Sequence, residues 1–353
     1  MPGAMIDWVV AEWIAARIAG TPRDAEPVLR GVDLDALAED AQRRVLAYTG
    51  LRLSVPVPAP EAVDRREWAR ANIASTRTLI DPLLQSAAGR LGPARGPGRL
   101  WLEAVSSAEI GVMLGFLAQR VLGQYELILL DEYAEGRQPR LLFVAPNLAE
   151  AVRRFNADPQ EFVTWVTLHE VTHAVQFGGV PWLREYLAEQ IRELLRSAEQ
   201  RIERPRRLAL PSLERITDVT RAVLRADLVG IVTSEREREL LDRAQAVMAV
   251  VEGHAEHVMD AVAPELLPSL PRLRGALDRR RREQRGIARY LNRLLGFEMK
   301  LRQYAQGKAF CDRVVELGGK DALHHVFSSP QALPTLAELE APELWLARTW
   351  QPG

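Results

Sequence analysis

One cysteine, Cys311, stands among 353 residues. No internal disulfide can form, and the chain suits a reducing compartment. Net charge is equally scarce, because 46 basic and 47 acidic side chains leave −1 at pH 7. The chain as a whole therefore exerts no electrostatic pull on nucleic acid or on acidic membranes. Its longest apolar run, Ile110 to Ala118, falls well short of the roughly 20 residues that span a bilayer. The opening stretch from Met5 to Ala19 is helical in pattern but carries Asp7, Glu12 and Arg17, which break the apolar centre of a secretory signal. These absences lead to the expectation of a cytoplasmic protein with no membrane partner. No internal repeat or low-complexity segment is present.

What remains is an ordinary globular composition, 47% hydrophobic and 26% charged, enough for a sizeable core. The stretch that stands out is Thr167-Leu168-His169-Glu170-Val171-Thr172-His173-Ala174-Val175, which contains H-E-x-x-H. Asp158, Pro159 and Glu161 supply an N-cap, a proline at the first helical position and an acidic third residue. Gly178, Gly179 and Pro181 are read as the stop. Four residues turn a helix by about 400°, so His169 and His173 share a face and can meet one Zn²⁺. Glu170 is angled off that face, where a general base acting on water belongs. The flanks leave almost no polar side, so the helix is expected to be buried. Buried histidines and a buried acid need partners, and a metal with its water supplies one for all three.

Two histidines leave a tetrahedral ion short of ligands. Two more of the six histidines lie in Val250-Val251-Glu252-Gly253-His254-Ala255-Glu256-His257. Stepping 100° per residue puts Glu252 on the same side as Leu241, Ala244, Met248, Ala249, Ala255 and Met259. Gln245 breaks that stripe, and Val247, Val250 and Val258 fall on the far side. On this preference Glu252 is the third ligand, with a histidine of the same segment as the alternative. Glu256, one turn on, is placed to accept the outer N–H of a ligand histidine. His254 and His257 fall on the opposite side, as surface residues or as groups standing behind the ligands.

The remaining chain divides at Gly92 to Gly98, the clearest linker, into an N-terminal helical segment (1–95) and a core (96–353). Residues 5–19 and a stretch capped by Asp33 or Asp35 read as helices. Val55 to Pro60 is an extended connector, and a long helix opens at Asp64 and stops before Pro82. Gly111, Gly115 and Ala118 punctuate an apolar stretch and predict close helix packing. Tyr125–Leu130 and Arg140–Val144 flank Glu135-Gly136-Arg137 as a hairpin, with Leu141 to Val144 as the strand expected to align a substrate. Trp182–Arg196, Leu213–Val229, Glu235–Asp260 and Phe297–Leu317 read as helices, and the tail beyond them as largely irregular. The basic run Asp278 to Arg285 is read as a solvated helix face, so no nucleic-acid partner is expected.

A helix motif followed by a glutamate on a later helix resembles the gluzincin metallopeptidases. More narrowly, the whole chain resembles a zincin-like, mainly actinobacterial family whose members carry hydrolase or deazaflavin-cofactor-biosynthesis labels. The stretches that carry this likeness include Val63-Asp64-Arg65, Val121-Leu122-Gly123-Gln124-Tyr125, Phe143-Val144-Ala145-Pro146-Asn147, the helix motif and the Glu252 segment. Lys300, Gln303-Tyr304 and Leu333-Pro334-Thr335-Leu336 continue it. The resemblance implies a mainly α protein with a small β-sheet, a zincin-like core with additional helices. The Glu252 segment follows His173 at a far longer interval than in thermolysin-like enzymes, so substrate preference does not transfer. The expected activity is zinc-dependent hydrolysis of a peptide or protein, with His169, His173 and Glu252 holding Zn²⁺ and Glu170 as base. Tyr304, four residues from Lys300 on one helical face, is the expected oxyanion donor. The rival reading keeps the same fold as a non-catalytic zinc-binding scaffold or interaction protein.

Overall fold

The structure is a computed structural model that describes residues 6–20, 26–91, 97–127, 138–203, 235–264, 266–267, 275 and 297–350. The helices are α1 (Trp8–Ala19), α2 (Glu26–Leu29), α3 (Leu34–Thr49), α4 (Arg65–Leu91), α5 (Pro97–Ala118), α6 (Ala145–Phe155), α7 (Pro159–Gly179), α8 (Pro181–Glu203), α9 (Glu235–Val262), α10 (Phe297–His325), α11 (Leu336–Glu340) and α12 (Pro342–Thr349). Among the described residues three strands complete them: β1 (Pro60–Val63), β2 (Gly123–Glu126) and β3 (Arg140–Val144). The fold is thus mainly α with a small mixed sheet, as the sequence implies. Among the described residues no helix is long and apolar enough to cross a membrane.

The strands run in the order β1-β3-β2. β3 pairs in parallel with β1 and antiparallel with β2. Side chains alternate across a strand, and here both faces of β3 are covered. Leu141 and Phe143 enter a core with α3, α6 and α7. Leu142 and Val144 enter a second core with α1, α4 and α5. β1 has no counterpart in the sequence reading: it starts on Pro60, at the end of the proline-rich connector, a position a strand tolerates at its first residue. Its presence overturns Leu141 to Val144 as the substrate-aligning strand, because β3 has a partner on each side. Among the described residues β1 and β2 are the edge strands, and β2 is the one that lies against α7.

α1 lies against α5 at backbone distance, as the small residues predict. A Cβ on Gly111 would come within 2.6 Å of the Ala11 carbonyl oxygen, and one on Gly115 within 2.7 Å of that of Ala15. The expected division near residue 95 falls in 92–96, outside the described residues. α4 does not stop before Pro82 but continues to Leu91. Ile80 and Leu84, one on each side of the proline, are both buried in the same core. Their burial offsets the lost hydrogen bond and ring clash, which cost about 3 kcal/mol.

The third core joins α8, α9, α10 and the tail. α9 and α10 cross at Gly253 and Gly307, where a Cβ on Gly307 would stand 1.8 Å from the Ala249 carbonyl oxygen. The tail is ordered rather than irregular. Thr335 and Glu338 form a capping box that starts α11, and Trp345 of α12 is fully buried with its indole N–H donating to the Ala332 carbonyl at 2.6 Å. The helix expected over 213–229, the basic run at 278–285 and the hairpin tip lie outside the described residues.

Candidate metal centre

α7 starts as its sequence dictates: the Asp158 carboxylate accepts from the Glu161 N–H at 2.9 Å, and Pro159 occupies the first turn. Its end differs from expectation. Gly178 and Gly179 lie inside the helix, and neither has a positive φ. They are small because another segment crosses them. A Cβ on Gly178 would meet the Val55 carbonyl oxygen at 2.8 Å, and the Gly178 carbonyl accepts from both the N–H and the hydroxyl of Ser54. The helix stops at Val180, before Pro181 opens α8.

Side by side, α7 and α9 bring His169, His173 and Glu252 together. Their ligand atoms all lie within 4.8 Å of one another. The two imidazole Nε2 atoms are 3.2 Å apart. Oε2 of Glu252 lies 3.6 Å from Nε2 of His169 and 3.4 Å from that of His173. A tetrahedral ion with bonds of about 2.0–2.2 Å spaces its ligand atoms about 3.3–3.6 Å apart. The triangle fits such an ion with almost no adjustment. The His169 side chain is 28% exposed against 11% for His173, so the centre opens on the His169 side.

The outer ring nitrogens face other groups than those expected. Nδ1 of His169 lies 3.3 Å from the Met259 sulfur. Nδ1 of His173 lies 2.9 Å from Oε1 of Gln176. Glu256 makes neither contact. His257 instead donates or accepts within a separate chain, with Nε2 2.8 Å from the Tyr48 hydroxyl and Nδ1 2.7 Å from Asp312. Lys308 closes that chain on Asp312 and Asp260. His254 is buried against the edge of Phe327 and accepts from the Gln176 amide at 2.9 Å. Gln176 was readable in principle, since a buried amide three residues from His173 on a buried helix must find partners.

Glu170 is buried, and its Oε2 accepts from the backbone N–H of Tyr125 on β2 at 3.0 Å. A Cβ on Gly123 would come within 2.7 Å of Cγ of Glu170, so only glycine leaves room for this carboxylate. Burial raises its pKa, against the lowering effect of His169, His173 and the Tyr125 N–H. The three candidate ligands lean on each other. Burial by itself would lower the His173 pKa, but the Glu252 carboxylate raises it to about 9. Burial by itself would raise that of Glu252, but His173 and His169 hold it well below the usual carboxylate range. His254 is pushed down to about 3, first by burial and then by the neighbouring histidines. Tyr304 sits in α10, with its side chain outside the described residues.

Residues 6–346 match the model of a family described as zincin-like metallopeptidases. A crystal structure of a candidate hydrolase with a novel fold from Chloroflexus aurantiacus is 30% identical, with a TM-score of 0.70, covering 99% of this chain and 100% of that one. Among curated proteins none matches.

Proposed function

The chain belongs to the zincin-like metallopeptidase family, and from that premise we propose that it is a zinc-dependent hydrolase of peptide bonds. His169, His173 and Glu252 are its ligands and Glu170 its general base. The observation that carries this reading is the pairing of two features in one place. Three ligand atoms converge at tetrahedral spacing, and beside them a buried carboxylate is held by a strand N–H.

Zinc held there supplies Lewis acidity, polarising a carbonyl and acidifying the attacking water. Glu170 takes the proton as the water attacks and hands it to the leaving amine. Burial helps, because a carboxylate whose pKa is raised both accepts and returns a proton more readily near neutrality. The edge of β2 that is unpaired among the described residues orients an extended chain. Val144 N–H donates to Leu122 C=O. With the β2–β3 register, this turns the backbone groups of Gly123 and Tyr125 away from β3. Their carbonyls are then open to substrate N–H groups beside Glu170. Tyr304 donates to the developing oxyanion, and Tyr304→Phe lowers turnover with zinc content unchanged.

The test is cleavage of a peptide library by purified protein, by protein stripped with a chelator, and by stripped protein restored with zinc. Cleavage that is lost and regained supports the reading. A full-length protein that holds zinc stoichiometrically and cuts nothing sinks it in favour of the scaffold.

A further inference from the structure

The geometry points to Gln176 as the positioning residue that fixes which nitrogen of His173 is offered to the metal, a role that rests on the zinc reading above. A histidine can present either ring nitrogen, and the choice is set by what the other one binds. Nδ1 of His173 faces an oxygen or a nitrogen of the Gln176 amide, depending on which way that amide is turned. Its direction is decided from the other side. The Gln176 nitrogen lies 2.8 Å from the Val251 carbonyl oxygen, and a carbonyl only accepts. The NH₂ group must therefore face Val251, and its second hydrogen goes to Nδ1 of His254 at 2.9 Å. Oε1 is left facing His173 at 2.9 Å, so Nδ1 of His173 carries the proton. Nε2 is then the nitrogen aimed at His169 and Glu252 and offered to the metal.

Every polar atom in this chain is buried, and Gln176 itself is fully so. No water competes for the amide, and turning it over would set an N–H against an N–H and a carbonyl against a carbonyl. The register is also tied to the third ligand, because Val251 precedes Glu252 on α9. One amide on α7 thus fixes the tautomer of the second ligand and pins α9 beside the third.

The experiment is zinc titration against a competing chelator, on full-length wild type, His173→Ala, Gln176→Leu and Gln176→Glu. It is paired with nitrogen-15 imidazole spectra of the zinc-loaded proteins and with melting curves of the metal-free ones. Gln176→Leu removes the acceptor and should weaken zinc binding about 10- to 100-fold, the usual effect of losing such a partner. Gln176→Glu keeps the acceptor for His173 but sets its second oxygen against the Val251 carbonyl, so it should lose less affinity than Gln176→Leu without matching wild type. Wild type and Gln176→Glu should show a slowly exchanging Nδ1–H on His173. Equal zinc affinity in wild type and Gln176→Leu overturns the assignment. So does a spectrum of wild type alone in which His173 binds zinc through Nδ1, which decides the matter even if Gln176→Leu fails to fold. Wild type that takes up no zinc, or His173→Ala that binds as well as wild type, sinks the zinc reading beneath it instead.

Discussion

Two faces of α9 carry similar side chains and do opposite things with them. On one, Glu252 meets two histidines; on the other, His257 meets Tyr48 and Asp312. Around His257 both ring nitrogens already have a partner within 2.8 Å, and Lys308 neutralises the acid at the end of the chain. Around Glu252 three potential ligand atoms converge, and the only donors among them are protons the histidines themselves carry. The first arrangement is a closed hydrogen-bonded clasp between α3, α9 and α10. The second could hold a cation in place of those protons. A cluster of histidine and acid therefore says little by its composition; what distinguishes a candidate metal centre is ligand atoms that converge on one point at metal-ligand spacing.

The largest effect expected from probing this contrast is at Glu170. Glu170→Gln keeps an acceptor for the Tyr125 N–H and leaves the ligands alone, yet cannot take a proton. Turnover should fall about 10²–10⁴-fold with zinc content unchanged, as read by peptide cleavage beside metal analysis. Next is Glu252→Ala. Structural zinc sites gain about 10–16 kcal/mol from their whole ligand set, so losing one ligand should weaken zinc binding by a hundredfold or so. If zinc stays bound at wild-type affinity, the converging face has been misread.

pH sharpens the same contrast by about tenfold per unit. In the metal-free chain His173 holds its proton up to about pH 9, and zinc must displace it. Affinity should climb with pH until about 9 and then level off, while a flat isotherm series would count against His173 as a ligand. The sign for the metal-free fold is opposite. A raised pKa stabilises the fold fully below the unfolded value of about 6.5, and that contribution is lost as pH rises through about 9. The smallest effect belongs to the clasp. His257→Ala should cost about 1–3 kcal/mol in thermal or denaturant unfolding and leave zinc affinity where it was.

Much of the converging face was legible in the sequence. The i, i+4 histidines and the cap at Asp158 are local signals, and the helix they specify is present. Glu252 could be chosen over His254 and His257 because periodicity put them on opposite sides of α9, and the structure places His254 and His257 away from the triangle. The partners of the outer nitrogens were not legible. Glu256 is the type of residue usually found there, but which side chain reaches Nδ1 depends on the crossing of α7 and α9, which no periodicity encodes. Sheet order was hidden for a similar reason: four residues of β1, the first of them the third proline of the connector, carry little strand signal, yet they decide which strands are edges among the described residues. The capping box Thr335–Glu338, by contrast, was in plain view, with a proline on each side of it inviting the irregular reading.

The N–H of Tyr125 has a consequence for whatever chain lies along β2. A strand edge normally offers an incoming peptide donors and acceptors in alternation, but here one donor is engaged by Glu170. What the edge presents near the Glu170 carboxylate is therefore weighted toward acceptors, and on the proposed function it would select partners by their amide hydrogens rather than their carbonyls. A backbone that lacks one of those hydrogens, through proline or N-methylation at the residue opposite Gly123 or Tyr125, would sit badly there whatever its side chains. An N-methyl scan of a cleaved peptide should find one or two positions, next to the scissile bond, that abolish cutting while their neighbours are indifferent.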